Sequence, residues 1–172
     1  MTRLMTRRHA RSLFALLLML FAWAGSARAL CVAGLCSCGV TTTNVAFGTY
    51  SPLAFGNTDS TGSVKVSCGG VVGLLIPFNI AISAGSSASY ANRQMKSGSN
   101  TLAYNLYTDA SYTTVWGDGS AATQIINAGV TLDLAGLSPV QTFYVYGRIP
   151  GRQITTVPGV YSDTINVTLT YY

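Results

Sequence analysis

A period of two governs this chain. Val64, Val66 and Cys68 share one side of the run from Ser63 to Cys68, and Phe78, Ile80 and Ile82 oppose Asn79, Ala81 and Ser83 in the run from Pro77 to Ser83. Leu102, Tyr104 and Leu106 oppose Ala103, Asn105 and Tyr107, and Phe143 and Val145 alternate with Tyr144 and Tyr146. The last run, Thr164 to Tyr172, sets Ile165, Val167, Leu169 and Tyr171 against Asn166, Thr168 and Thr170. Successive strand side chains point to opposite faces, so each run reads as a strand with one buried face. Gly-, Ser-, Asn- and Pro-rich breaks at 56–62, 85–89, 96–100, 117–120 and 150–158 read as turns. Thr, Ser, Gly, Asn and Tyr dominate and Glu is absent, which removes the blocks that build helices. About seven or eight short strands without a helix of useful length predict an all-β, antiparallel sandwich with one core.

The formal charge of +5 is misleading, because of where it lies. Arg3, Arg7, Arg8, Arg11 and Arg28 fall in the first 29 residues, ahead of and just behind an unbroken apolar run from Leu13 to Trp23. A basic start, an apolar middle and the small-x-small sequence Ala27-Arg28-Ala29 are the three parts of a secretory signal. The apolar run is shorter than the roughly 20 residues of a transmembrane anchor. The expected division is therefore a signal peptide over 1–29 and one domain over 30–172. The remaining basic residues, Lys65, Arg93, Lys96, Arg148 and Arg152, are matched one for one by Asp59, Asp109, Asp118, Asp133 and Asp163. The exported chain is thus neutral and carries no basic stripe for nucleic acid. It also lacks His, since His9 lies in the leader, which removes histidine as base or metal ligand.

Cys31, Cys36, Cys38 and Cys68 all lie in the exported part, where thiols pair. C-x4-C-x-C with one distant Cys is not the spacing of a structural zinc site. A Cys36–Cys38 bridge would be strained across a single residue. That leaves Cys31–Cys36 with Cys38–Cys68, or Cys31–Cys38 with Cys36–Cys68; both tie the first strand to a later one.

Candidate chemistry is sparse. Asp109 and Asp118 stand at turn sequences, where Asp caps backbone groups, and no Asp-x-Asp-x-Asp-Gly run supports calcium. No nucleophile is set beside a base, so no enzyme is expected and no cofactor is implied. Arg148 and Arg152 are expected to pair at the surface with a carboxylate such as Asp163. Asn166-Val167-Thr168 matches a glycosylation sequon but sits inside an alternating strand, which marks it as a chance match. The most informative feature is the last alternating run. From Thr164 to Tyr172 neither charge nor Pro blunts the edge, so this strand is expected to offer an open edge to a strand from another chain.

The order of motifs resembles the spore coat protein U domain family, which includes subunits of archaic chaperone-usher pili of Gram-negative bacteria. The resemblance is carried by Asn44-Val45-Ala46-Phe47-Gly48-Thr49-Tyr50, by Gly62 to Cys68, and by Arg93-Gln94-Met95 through Leu102 to Asp109 and Val115-Trp116-Gly117-Asp118-Gly119. Tyr146-Gly147-Arg148-Ile149-Pro150 and Gly159 to Ile165 complete it. It implies an immunoglobulin-like sandwich that lacks its final strand. A periplasmic pilus chaperone first fills the resulting groove; at the outer-membrane usher, the N-terminal segment of a neighbouring pilin subunit replaces it. By that analogy Ile165, Val167, Leu169 and Tyr171 line one wall of the strand-acceptor groove, and the first strand, with Val45 and Phe47, lines the other. The route implied runs through the inner membrane to the periplasm and then to the surface pilus. One departure stands out: only Leu30 to Ser37 precedes Cys38, and Cys31 and Cys36 interrupt it. A segment so short is suited to accepting a strand rather than donating one, which suggests a minor, tip-like or terminating subunit. Two other readings differ in class: a secreted monomeric sandwich that binds a glycan through Trp116 and nearby tyrosines, and a self-associating coat or matrix protein.

Overall fold

A computed structural model describes Cys31 and residues 34–172; the expected signal peptide lies outside the described residues. Eight strands follow one another: β1 (Cys36–Thr43), β2 (Thr58–Gly70), β3 (Leu75–Ile82), β4 (Arg93–Ser97), β5 (Asn100–Tyr107), β6 (Ile126–Thr131), β7 (Gln141–Ile149) and β8 (Val167–Tyr171). They form two antiparallel sheets, one ordered β1-β2-β7-β5-β4 and one ordered β6-β3-β8. Among the described residues the helical content is one short 3-10 turn at Gly85–Ser87. No helix among the described residues is long and apolar enough to cross a membrane.

The alternation builds the core. Val64 and Val66 of β2, Leu102 and Leu106 of β5, and Val145 and Ile149 of β7 face Ile76, Phe78, Ile80 and Ile82 of β3, and all are buried. Each such side chain contributes about 1.5–3 kcal/mol of burial free energy, and Phe78 meets Phe143 edge-to-face with ring centroids 6.0 Å apart. Trp116 is fully enclosed, with its Nε1–H donated to the Ile80 carbonyl at 3.1 Å. That burial overturns the reading of Trp116 as a glycan platform, because a stacking ring must be exposed.

Two bridges, Cys31–Cys36 and Cys38–Cys68, resolve the open connectivity. The second joins residues that are register partners on β1 and β2.

Departures from the expected strands have local causes. The first strand stops at Thr43, so Val45 and Phe47 lie on a segment beyond it. β8 begins at Val167 rather than Thr164, because past the end of β3 at Ile82 the Ser83 carbonyl turns to Arg93 and leaves only the Ser83 N–H in the backbone ladder to Asn166. β4 was not anticipated as a strand because its inward positions are Arg93 and Met95, and an arginine hides the apolar alternation.

Candidate functional site

Between the two sheets, on the side of β8 away from β3, lies an open cavity of about 1000 Å³. Its floor is core: Val64, Leu102, Tyr104, Leu106, Val145 and Ile149. Two extended segments form its walls, residues 42–50 on one side and 156–165 with Val167 on the other.

The first wall is the continuation of β1. Its side chains keep the strand alternation, with Val45 and Phe47 half-buried and Ala46 and Gly48 exposed, yet no residue from 44 to 50 makes a backbone–backbone hydrogen bond with another described residue. Two glycines let this segment lie close over the sheet. A β-carbon on Gly147 would stand 2.5 Å from Val45 Cγ1 and 2.8 Å from Phe47 Cζ, and one on Gly62 would stand 2.6 Å from the Thr43 carbonyl oxygen. Phe47 then meets Tyr104 edge-to-face at 6.0 Å.

The second wall is held on its outer side alone. Ser162 exchanges both backbone hydrogen bonds with Lys96 of β4, at 2.8 and 3.1 Å. The Ser83 N–H donates to the Asn166 carbonyl at 3.0 Å, and the Asn166 N–H donates to Ser83 Oγ at 3.0 Å. The ladder continues to Tyr172, whose N–H donates to the Pro77 carbonyl. In an antiparallel ladder, alternate residues turn their backbone groups to opposite sides. The even-numbered residues therefore bond β3 and β4, while Ile165, Val167 and Leu169 turn theirs to the open edge, where no described strand lies. Unpaired backbone groups along a sheet edge are a template for another strand, and an extended segment laid in this cavity would pair with them while dropping alternate apolar side chains onto the floor.

Among the polar contacts of the lining, one ties the floor to the second wall. The Tyr104 hydroxyl donates to Asp163 Oδ2 at 2.7 Å, and Asp163 Oδ1 accepts the Ser86 N–H at 2.9 Å. Burial first, then the Asp163 hydrogen bond, pushes the Tyr104 phenol well above its ordinary range. Asp163 therefore belongs to the groove, and the Arg148 expected to reach it pairs elsewhere. Arg148 donates from Nε and Nη2 to Asp59 at 2.7 Å each, its register partner on β2, and lies 3.6 Å from the Tyr112 ring centre. Strand register, invisible in a linear sequence, made that choice.

Of the six residues expected in the groove, Val45, Phe47, Ile165 and Val167 line the cavity. Leu169 and Tyr171 do not. They lie further along β8, where Leu169 packs against the continuous core opposite Ile80 and Tyr171 pairs with Phe78. Asp109 and Asp118 serve turns: Asp109 accepts backbone N–H groups of Ser111, Thr113 and Thr114, and Asp118 accepts that of Ser120. The floor and the Tyr104–Asp163 contact went unread in sequence, because Tyr104 looks like any core position and Asp163 like a turn cap.

The family model described as Spore Coat Protein U domain matches residues 27–168. Among solved structures, the chain resembles one in the crystal structure of the CsuC-CsuE chaperone-tip adhesion subunit pre-assembly complex from archaic chaperone-usher Csu pili of Acinetobacter baumannii, at 23% identity and a TM-score of 0.50. The alignment covers 78% of this chain and 39% of that one, so this chain spans well under half of its structural neighbour. No curated protein gives a significant match.

Proposed function

The chain belongs to the Spore Coat Protein U domain family, and from that premise we propose that it is a structural subunit of a surface pilus, with no catalytic role, whose groove accepts a strand from another chain. The observation that carries the reading is the pairing of an open apolar cavity with an edge whose backbone groups at Ile165 and Val167 have no partner among the described residues. In the β-augmentation mode, main-chain hydrogen bonds supply affinity and pockets for alternate side chains supply specificity. The first occupant is a periplasmic chaperone; at an outer-membrane usher it gives way to the N-terminal segment of a neighbouring subunit. Residues 1–29 are removed on export, and 30–172 form the working domain.

We also propose a tip-like or terminating position in the fibre. Cys36 and Ser37 already pair with Gly70 and Gly69, and Cys36 is bridged to Cys31. A segment so engaged is poorly placed to leave its own sheet and complement a neighbour. Fibres of the purified protein alone, with 30–37 buried in the next copy, would overturn this position.

The test of the groove is co-purification with a chaperone encoded beside the gene. Ile165→Asp and Val167→Asp set a charge into the cavity and should abolish the complex, whereas Val140→Asp, at an exposed position outside it, should not. Retention of the complex by both groove variants would sink the reading.

A further inference from the structure

Arg93 is completely buried and has no carboxylate in contact, an expensive arrangement for a cation. Its guanidinium is spent on neutral acceptors. Nη1 donates to Asn105 Oδ1 at 2.7 Å, and Nη2 donates to the carbonyls of Ser83 at 2.9 Å and Trp116 at 2.8 Å. Nε adds a second, longer bond of 3.3 Å to the Ser83 carbonyl. A fork of fixed geometry on one oxygen places that residue more tightly than a point charge would.

Ser83 is where the fork matters. It follows the last residue of β3, and its remaining polar groups, N–H and Oγ, hold the carbonyl and N–H of Asn166. Asn166 lies between Ile165 and Val167, two of the wall residues that line the cavity. Arg93 is also a residue of β4, whose Lys96 holds Ser162 at the other end of the same wall. One buried side chain thus sets the spacing between the two strands that carry the wall.

From this we infer that Arg93, acting through Ser83, is a positioning residue for strand acceptance: it holds the 162–167 wall at the distance from which an incoming backbone can bond Ile165 and Val167. The inference rests on the reading of the cavity as a strand acceptor. Without the fork, the wall keeps its sequence and its apolar side chains but loses its fixed place, and an incoming strand must order it at its own expense.

The test uses the full exported chain and two synthetic peptides of about nine residues, long enough at roughly 3.3 Å per residue to span the 162–167 wall and overhang it at both ends. One alternates Ile with Thr; the other has the same composition with its apolar residues clustered. Binding of the alternating peptide and protection of the Ile165 and Val167 amides from hydrogen exchange are the readouts, with thermal unfolding of the free protein measured alongside. Ser83→Ala leaves the carbonyl for Arg93 but removes the Oγ acceptor, and should weaken the alternating peptide about tenfold, the worth of one well-placed hydrogen bond, with selective loss of protection at Ile165 and Val167. Arg93→Lys, which keeps the charge and removes the fork, should weaken it further. Val130→Ala hollows the core on β6, outside the cavity lining, and should lower thermal stability while leaving peptide affinity unchanged. Wild-type protein that does not prefer the alternating peptide would overturn the acceptor reading itself. Wild-type preference with unchanged affinity and protection in both Ser83→Ala and Arg93→Lys would overturn the role of Arg93 alone, as would a loss of affinity in Val130→Ala as large as that in Arg93→Lys.

Discussion

The Tyr104 hydroxyl donates a 2.7 Å hydrogen bond to Asp163 Oδ2, tying the floor of the groove to its wall. Burial and this bond both raise the phenol's pKa above its ordinary value of 10.0. The proton is therefore held more tightly in the folded state than in the unfolded one. The stabilisation is complete below pH 10 and is lost as pH rises from there through the folded-state value. Wild-type protein should lose thermal stability above that pH more steeply than Tyr104→Phe. At neutral pH the variant should be less stable by about 1 kcal/mol, the net worth of one hydrogen bond. Equal alkaline slopes would show that the phenol does not govern the transition.

Arg148 and Asp59 form a bidentate pair on the outer face of the larger sheet. The hydrogen bond from Arg148 holds the Asp59 carboxyl below its ordinary value of 3.8. Its contribution is present above that value and fades as pH falls through the folded-state pKa. The pair is partly exposed, at 28% and 37%, so solvent screening limits it to less than about 1 kcal/mol. Asp59→Asn should cost no more than that in urea unfolding at neutral pH, and the difference should shrink further in 1 M salt, about the concentration at which screening acts within a few ångströms.

The two disulfides close loops of different size, with sequence separations of 5 and 30. In the chain-entropy model, removing Cys38–Cys68 by double alanine substitution should cost about 3.5 kcal/mol, against about 2 kcal/mol for Cys31–Cys36. Guanidinium unfolding of the two double variants checks the order. The reverse order would show that the unfolded chain is not what these bridges constrain.

Gly62 lies where a β-carbon would meet the Thr43 carbonyl oxygen at 2.6 Å, whereas Gly147 faces the ends of the Val45 and Phe47 side chains. Backbone yields less readily than a side-chain tip. Gly62→Ala should therefore destabilise by about 1–3 kcal/mol, as overpacking does, and Gly147→Ala by less. Both should move the 44–50 wall, which changes in the Val45 and Phe47 methyl and ring resonances would report.

The sequence by itself determined the layers of this protein. Alternation at Val64–Cys68, Phe78–Ile82, Leu102–Leu106 and Phe143–Val145 announced strands and their inward faces, because strand side chains alternate whatever their neighbours are. Its motif order indicated the family, and it pointed to Val45, Phe47, Ile165 and Val167, which line the cavity. Tertiary structure alone decided that the cavity stops short of Leu169 and Tyr171, since a residue's exposure depends on which distant strand covers it. It also decided that Arg148 meets Asp59 rather than Asp163, a matter of register, and that Trp116 is core rather than surface. Arg93 was the least legible of all: a cation at an inward strand position reads as an interruption until three acceptors from three separate stretches, the carbonyls of Ser83 and Trp116 and the Asn105 Oδ1, converge on it in space.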